Sequence, residues 1–373
     1  MRIAINTRFL LTSKMEGFGW FTFEVVHRIV KQHPEHEFIF FFDRKFDERF
    51  IFAENVKGVV LNPPARHPIL FKIWFDYSVT KALKKYKIDL FFSPDGYLSL
   101  KTKVKQIGVI HDLNFEHYPE DLPNSALKYL KKYFPLFAKK AAHILTVSQY
   151  SKDDICETYN ISPSKVTVSY NGASDLFKPI TFSVQELIRS KYTNGESYFV
   201  FVGALHARKN VARLFQAFDQ FKTATGSKTK LAIVGEKLWN SVDLESSYNA
   251  LNHQKDVIFT GHLPIEHLTQ IVGAAKALVF PSYFEGFGIP LVEAMRANCP
   301  VISGNLTSLP EIAGDAALFV DPFSVDSISE GLQRMDEDEN LRTELIEKGK
   351  VRGATFSWDK TANIIWDVIE KEL

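Results

Sequence analysis

The chain is poor in several features that would point to particular classes of protein. Two cysteines in 373 residues, Cys156 and Cys299, are too few and too ordinary in setting for a disulfide framework or a metal site. No stretch approaches the ~18 apolar residues of a membrane-spanning helix. The run FIFFF at 38–42 has the length of a buried strand. No repeat of solenoid period and no low-complexity tract is present, which argues against a stacked array. The net charge of +1 gives no overall basic surplus, and nucleic acid is not expected as a partner. The N-terminus opens directly on an apolar strand, so no signal peptide is expected and the expected location is cytoplasmic.

What is present argues for parallel α/β units. Apolar residues make up 45% of the chain, enough for sizeable cores, and apolar strand-length runs alternate with helical patterns. A chain of 373 residues suits two domains of ordinary size. The break between them is expected within Phe177 to Tyr198, dividing the chain into 1–178 and 179–355, with a last helical segment at 356–373.

The most informative stretch runs from Pro281 to Pro322. The apolar run Ala274–Phe280 reads as a strand bounded by Pro281. Gly286 and Gly288 free the backbone for tight turns beside a ligand. Pro290 fits the first turn of a helix, which LVEAM continues and Asn298 and Pro300 end. The exposed N–H groups at such a helix start suit a diphosphate. Glu285 before the helix and Glu293 inside it reach a ligand from two sides, and two carboxylates beside an anion site suit a molecule with both hydroxyls and phosphate. A nucleotide-sugar fits.

This segment resembles the EX7E motif of retaining glycosyltransferases of family 4, which have the GT-B architecture. The residues that carry the likeness are Glu285-Gly-Phe-Gly-Ile-Pro-x-x-Glu293-Ala-Met, then Ser308-Leu-Pro-Glu311, Gly314-Asp-Ala-Ala317 and Asp321-Pro322. Other stretches match the family in order. Glu16-Gly17-Phe18-Gly19 resembles its N-terminal glycine loop, with Trp20 where arginine is common, and a helix is expected from about Phe21. Gly108–Leu113 is a strand ending in His111-Asp112, similar to the family's HD motif. Thr146–Ser151 and Val168–Gly172 match its VSxxS and PNG-like segments, with Tyr170 in place of proline. Tyr198–Gly203 followed by Arg208-Lys209-Asn210 is similar to VGxxxPRKN, with Ala204 lacking the arginine some members carry. The likeness spans nearly the whole chain, strongly over 198–322, less so over 105–178 and thinly over 20–104.

The resemblance implies two Rossmann-like doubly wound α/β domains facing across a cleft. The first binds the acceptor, the second the donor, and the last helix returns to the first domain. It further implies transfer of a sugar from a nucleoside diphosphate with retention of configuration. Glu285 would hold the donor sugar's hydroxyls and Glu293 the ribose. Arg208, Lys209 and the helix at Pro290 would stabilise the leaving diphosphate, and His111 would orient the sugar. Backbone or side-chain donor contacts are expected at Gly17, Gly203, Gly235, Gly286, Phe287, Gly288, Ile289, His262 and Leu263, with Glu236 as another base contact. With cations neutralising the diphosphate, neither metal nor cofactor is expected. GFGIP with SLPEIAGDAA looks most like mannosyltransferases of surface polysaccharide assembly, which favours GDP-mannose as donor; a UDP-sugar remains open. The acceptor would be a saccharide, free or lipid-linked. A phosphorylase-like or epimerase enzyme of the same architecture and a non-catalytic nucleotide-sugar-binding module stay as alternatives.

Charge is unevenly divided. Residues 1–178 carry 26 basic and 19 acidic residues, whereas 179–373 carry 19 and 25. Two basic stretches stand out: Lys81–Lys87, and Lys128–Lys140 with Tyr129, Leu130, Tyr133, Phe134, Leu136 and Phe137 interleaved. A helix of this kind either packs its aromatic face on a sheet or lies on an anionic membrane. On the second reading the protein would work at the inner face of the membrane.

Overall fold

A computed structural model describes residues 1–11, 15, 17–235 and 242–373. The chain divides into two compact units, Met1–Asn171 with Ser357–Leu373, and Gly172–Phe356. The break falls at Asn171/Gly172, earlier than the sequence expectation of residue 178, for a packing reason. Phe177 is buried in the core of the second unit, and Arg296 there donates to Ala173 O (3.0 Å) and Asp175 Oδ1 (2.9 Å).

The first unit is a seven-stranded sheet of β1 (Arg2–Asn6), β2 (Glu37–Phe42), β3 (Val56–Val60), β4 (Leu90–Ser93), β5 (Lys105–Val109), β6 (His143–Thr146) and β7 (Val166–Val168), in the order β3-β2-β1-β4-β5-β6-β7. All pairings are parallel. Parallel strands are covered on both faces and become continuous apolar runs. FIFFF is such a case, with Phe38 to Phe42 all buried in β2. The last helix, Trp358–Glu372, belongs to this unit. It buries Trp358, Ile365, Trp366, Val368 and Ile369. Trp358 meets Phe21 edge-on at 6.0 Å, Asp359 pairs with Arg28 (2.6 Å), and Thr361 Oγ1 donates to Tyr170 O (2.5 Å).

The second unit has six parallel strands: β8 (Tyr198–Val202), β9 (Lys230–Val234), β10 (Val257–Gly261), β11 (Ala277–Phe280), β12 (Val301–Gly304) and β13 (Leu318–Val320), in the order β10-β9-β8-β11-β12-β13. In both sheets the strand order reverses once, between β1 and β4 and between β8 and β11. Ligands of open α/β sheets bind outside the carboxyl ends of strands at such a reversal.

Two helical details differ from the sequence reading. The first helix is Gly17–Gln32, so Gly17 and Gly19 lie in its opening turn rather than in a loop before Phe21. A Cβ at position 19 would stand 2.7 Å from Phe9 O, so a glycine there lets the helix start against backbone. The basic helix Asn124–Lys140 buries Tyr129, Phe134 and Phe137 and exposes its lysines. Its aromatic face is thus core. An exposed apolar row lies on the helical run 68–85, where Ile69, Ile73 and Tyr77 are all exposed at four-residue spacing beside Lys72, Lys81, Lys84 and Lys85.

Candidate active site

The strand reversal of the second unit carries most of the expected residues. β8 runs into Gly203 and then a single 3-10 turn, Ala207–Lys209, while β11 runs into Pro281–Gly288. The two loops are pinned together by polar contacts. Asn210, buried and left-handed at φ 61°, donates from Nδ2 to Pro281 O (3.0 Å) and Pro322 O (2.5 Å). Tyr283 N donates to Arg208 O (3.1 Å). Asparagine tolerates the left-handed region better than most residues, so one side chain sets both the turn and the crosslink.

Glu285 is held at the centre, with a side chain only 6% exposed. Its Oε2 accepts from Arg208 Nη1 (2.9 Å) and its Oε1 from Lys209 Nζ (2.6 Å). Arg208 also donates to Phe284 O (3.0 Å), and Lys209 Nζ lies 4.6 Å from the centre of the Phe280 ring. The Glu285 main chain is fixed from the next loop: its N–H donates to Thr307 Oγ1 (3.1 Å) and its carbonyl accepts from Ser308 Oγ (2.8 Å). Burial alone would raise this carboxyl. Arg208 and Lys209 outweigh that effect and hold it below the ordinary glutamate range.

The following helix is Ile289–Arg296, starting one residue before the expected Pro290. Gly288 caps it at φ 95°, and a Cβ there would stand 2.8 Å from Leu309 Cδ2; only glycine suits both the angle and the space. Phe287 is buried edge-on against Phe356 at 5.5 Å. Glu293, about one turn into the helix, has no hydrogen bond or ion pair from its carboxyl among the described residues. Burial pushes it up to about 7. The two glutamates therefore differ in kind: one ionised and doubly paired, the other poised to titrate near neutrality.

The remaining loops line the same end of the sheet. Gly203 N donates to Val234 O (3.0 Å) and Gly235 N to Gly261 O (3.1 Å). A Cβ on Gly235 would stand 2.2 Å from Gly203 O, so these two loops meet backbone to backbone. His262 follows β10, the edge strand, and is exposed, while Leu263 packs against the core. Glu236 lies outside the described residues, as does Glu16.

Gly17 and His111 belong to the first unit. His111, just past β5, is packed edge-on between Phe18 (4.8 Å) and Phe21 (4.7 Å). Its Nε2 lies 2.8 Å from Pro94 O. Burial holds it below the ordinary histidine range, so the ring is neutral near pH 7. A carbonyl can only accept, which places the proton on Nε2 and leaves Nδ1 as an acceptor. Asp112 is used locally, its Oδ1 accepting from Asn114 N (3.0 Å).

Sequence reading missed the polar cluster at the first unit's strand reversal. Arg8 is 4% exposed and pairs with Asp95 at 2.6 Å. Asp95 Oδ1 also accepts from Asn6 Nδ2 (2.9 Å), Ser93 Oγ (3.0 Å) and Tyr97 N (3.2 Å). The Arg8 guanidinium sits over Phe9, Phe71, Phe75 and Tyr97. This network shapes the Ser93–Tyr97 turn that presents the Pro94 carbonyl to His111. Its signal was two polar residues, Asn6 and Arg8, directly at the end of an apolar strand. Among the described residues no group of His, Cys, Asp and Glu is arranged to hold a metal ion.

A model described as Glycosyltransferase Family 4 matches residues 15–175, and one described as Glycosyl transferases group 1 matches residues 184–352. O-antigen chain mannosyltransferase B of Escherichia coli is 27% identical over 356 residues, covering 92% of this chain and 93% of that protein. Sucrose-phosphate synthase from Thermosynechococcus elongatus superposes with a TM-score of 0.80 at 16% identity, over 99% of this chain and 98% of that one. HepE from Anabaena, solved with UDP and glucose, gives 0.78 at 16% identity over 100% of both chains. The solved structures show a shared fold. The two matched segments account for most of both units, the fold is that of GT-B enzymes, and the chain belongs to the family 4 glycosyltransferases.

Proposed function

We propose that this glycosyltransferase moves a hexose from a nucleoside diphosphate donor to a saccharide or lipid-linked saccharide, with retention of configuration and without a metal ion. The observation that carries the reading is the Glu285–Arg208–Lys209 cluster at the β8/β11 reversal. It gathers an ionised carboxylate and two cations where open α/β sheets bind ligands. The mannosyltransferase relative favours mannose, with GDP-mannose as the leading donor. HepE, solved with UDP and glucose, is the reason a UDP-sugar is the second reading.

Arg208 and Lys209, with the N–H groups at the start of Ile289–Arg296, take the charge that develops on the departing diphosphate. Donors set in place before reaction contribute a few kcal/mol each to such a step. Glu285 accepts hydrogen bonds from the sugar hydroxyls, and Glu293, once ionised, accepts from the ribose diol. His111 takes a hydrogen bond from a substrate hydroxyl at Nδ1. The glycine turns at Gly203, Gly235 and Gly286–Gly288 let backbone groups meet the nucleotide, and His262 and Leu263 border the base.

The reading is tested by thermal shift with GDP, UDP, ADP and their sugar conjugates, with and without EDTA. A ligand at ~100 times its Kd adds about 2.7 kcal/mol to stability. A shift with one base alone, insensitive to EDTA, supports the donor site and names the nucleotide. No shift with any nucleotide removes it.

A lipid-linked acceptor would need a membrane surface, and the exposed Ile69–Ile73–Tyr77 row among lysines is suited to anionic lipid. Co-sedimentation with vesicles containing phosphatidylglycerol at low salt, lost in Ile69→Ser/Tyr77→Ser, supports this contact. Equal recovery of protein with and without vesicles rejects it.

A further inference from the structure

A second concave site lies at the opposite end of the same sheet. Ser197 precedes β8, Lys276 precedes β11 and Pro300 precedes β12; with Arg189 of the helix Phe182–Thr193 and Arg342 of the helix Glu339–Gly353 they line a cavity of about 330 Å³. The donor-site residues follow the carboxyl ends of β8 and β11, so each of these strands runs from one site to the other.

The lining is unbalanced in charge and has unused bonding capacity. Arg189, Lys276 and Arg342 face a single carboxylate, Glu339. Lys276 is neutralised by Asp336 (2.5 Å), whose Oδ1 also accepts from Thr229 (2.6 Å) and whose Oδ2 accepts from Ser227 (2.8 Å). Both carboxylate oxygens of Asp336 are therefore engaged. Arg342 has no ion pair among the described residues. Its Nη1 donates to Met335 O (2.8 Å) and Asp336 O (3.0 Å), which leaves its Nε and Nη2 hydrogens unused. Arg189 has only a long contact to the exposed Glu186 (3.3 Å) and a bond to Ala274 O. The half-buried side chains of Ser197 and Asn298 make no hydrogen bond among the described residues.

Half-buried guanidinium groups with N–H donors to spare match a phosphate, because the planar fork offers paired N–H groups to two of its oxygens. The neutral donors beside them match hydroxyls, and the volume is at the lower end of small-molecule pockets, more than one phosphate fills. We propose that this cavity is a binding site for a small hydroxylated phosphate monoester, separate from the donor site. Arg342 and Arg189 hold the phosphate, and Ser197 and Asn298 the hydroxyl-bearing part.

The test is calorimetric titration of the full chain with glucose 1-phosphate, alone and in saturating GDP and UDP. The expected result is saturable binding that the nucleotides leave unchanged, that Arg208→Gln leaves unchanged, and that Arg342→Gln weakens about tenfold or more. Arg342 also caps a helix end, so Ser197→Asp is the second variant; it places a negative charge in the cavity without removing that cap and should weaken binding similarly. Absence of saturable binding up to roughly 10 mM, at the weak end of the affinity scale, overturns the proposal. So does displacement by nucleotide, or binding indifferent to both cavity variants.

Discussion

Replacing Glu285 should separate donor binding from turnover. In the free protein its carboxylate takes up two cations, Arg208 at 2.9 Å and Lys209 at 2.6 Å, whose side chains are 24% and 12% exposed. A diphosphate arriving at these cations meets a fixed negative charge. At ~6 Å and an effective dielectric of ~20 that repulsion is about 3 kcal/mol. Glu285→Gln preserves shape and removes the charge, so nucleoside diphosphate should bind more tightly, by about 1–3 kcal/mol or roughly 5- to 150-fold. Without ligand the same variant removes the carboxylate charge that faces two partly buried cations. A fully buried pair broken in this way loses ~3–5 kcal/mol; with solvent reaching Arg208, about 2–3 kcal/mol is expected. For a unit of this size that lowers Tm by some 4–12 °C, at ~2–4 °C per kcal/mol. Sugar transfer should fall by at least about 100-fold, because the hydroxyl acceptor is weakened where the sugar reacts. Calorimetry with GDP and UDP, melting with and without nucleotide, and radiolabelled sugar transfer read the three effects. A folded Glu285→Gln that binds nucleotide more weakly than the parent refutes the competition argument, and one that transfers sugar at near-parent rate removes Glu285 from the chemistry.

Three further outcomes are expected. Glu293 is neutral below its value of about 7 and is then a weaker acceptor for the ribose hydroxyls, so kcat/KM for donor should fall by up to about tenfold per unit as pH drops below 7; Glu293→Gln should have a lower plateau and lose that limb. The sign for stability is opposite: a raised carboxyl stabilises the fold below its unfolded value of ~4.3 and loses that contribution as pH rises through about 7, so parent Tm relative to Glu293→Gln should decline over that window. Gly288→Ala, with φ 95° and a Cβ 2.8 Å from Leu309, should lose about 1–3 kcal/mol in urea, while Gly17→Ala, where a Cβ meets nothing within 4 Å, should leave stability within ~0.5 kcal/mol; equal effects would show that the cap is not strained. Asp95→Ala strands the Arg8 cation among four aromatic rings and should destabilise the protein by ~3–5 kcal/mol, with a smaller loss in Asp95→Ala/Arg8→Met.

The parts legible in the sequence are those where local stereochemistry demands a residue type. Gly286-Phe-Gly-Ile-Pro announces a turn into a helix because glycine alone suits φ 95° at position 288 and proline suits the first helical turn. Apolar runs such as Tyr198–Val202 announce parallel strands because both faces are covered. What stayed hidden depends on pairing across long sequence distances. Lys209 and Glu285 are 76 residues apart and were read as separate ligand contacts, one for phosphate and one for sugar; nothing local reveals that they neutralise each other. Arg8 and Asp95 are 87 apart, and a charged residue after a strand ordinarily reads as solvated. The aromatic row of Asn124–Lys140 left both a core and a membrane open, since periodicity gives a face without saying what covers it; packing of Tyr129 on Phe71 (5.6 Å) and of Phe134 on Tyr97 (5.2 Å) decides for the core. The same argument explains why the donor side is read more sharply than the acceptor side. A diphosphate and a ribose impose fixed chemistry on loops, whereas exposed side chains such as Ile69, Ile73 and Tyr77 are constrained by no backbone geometry.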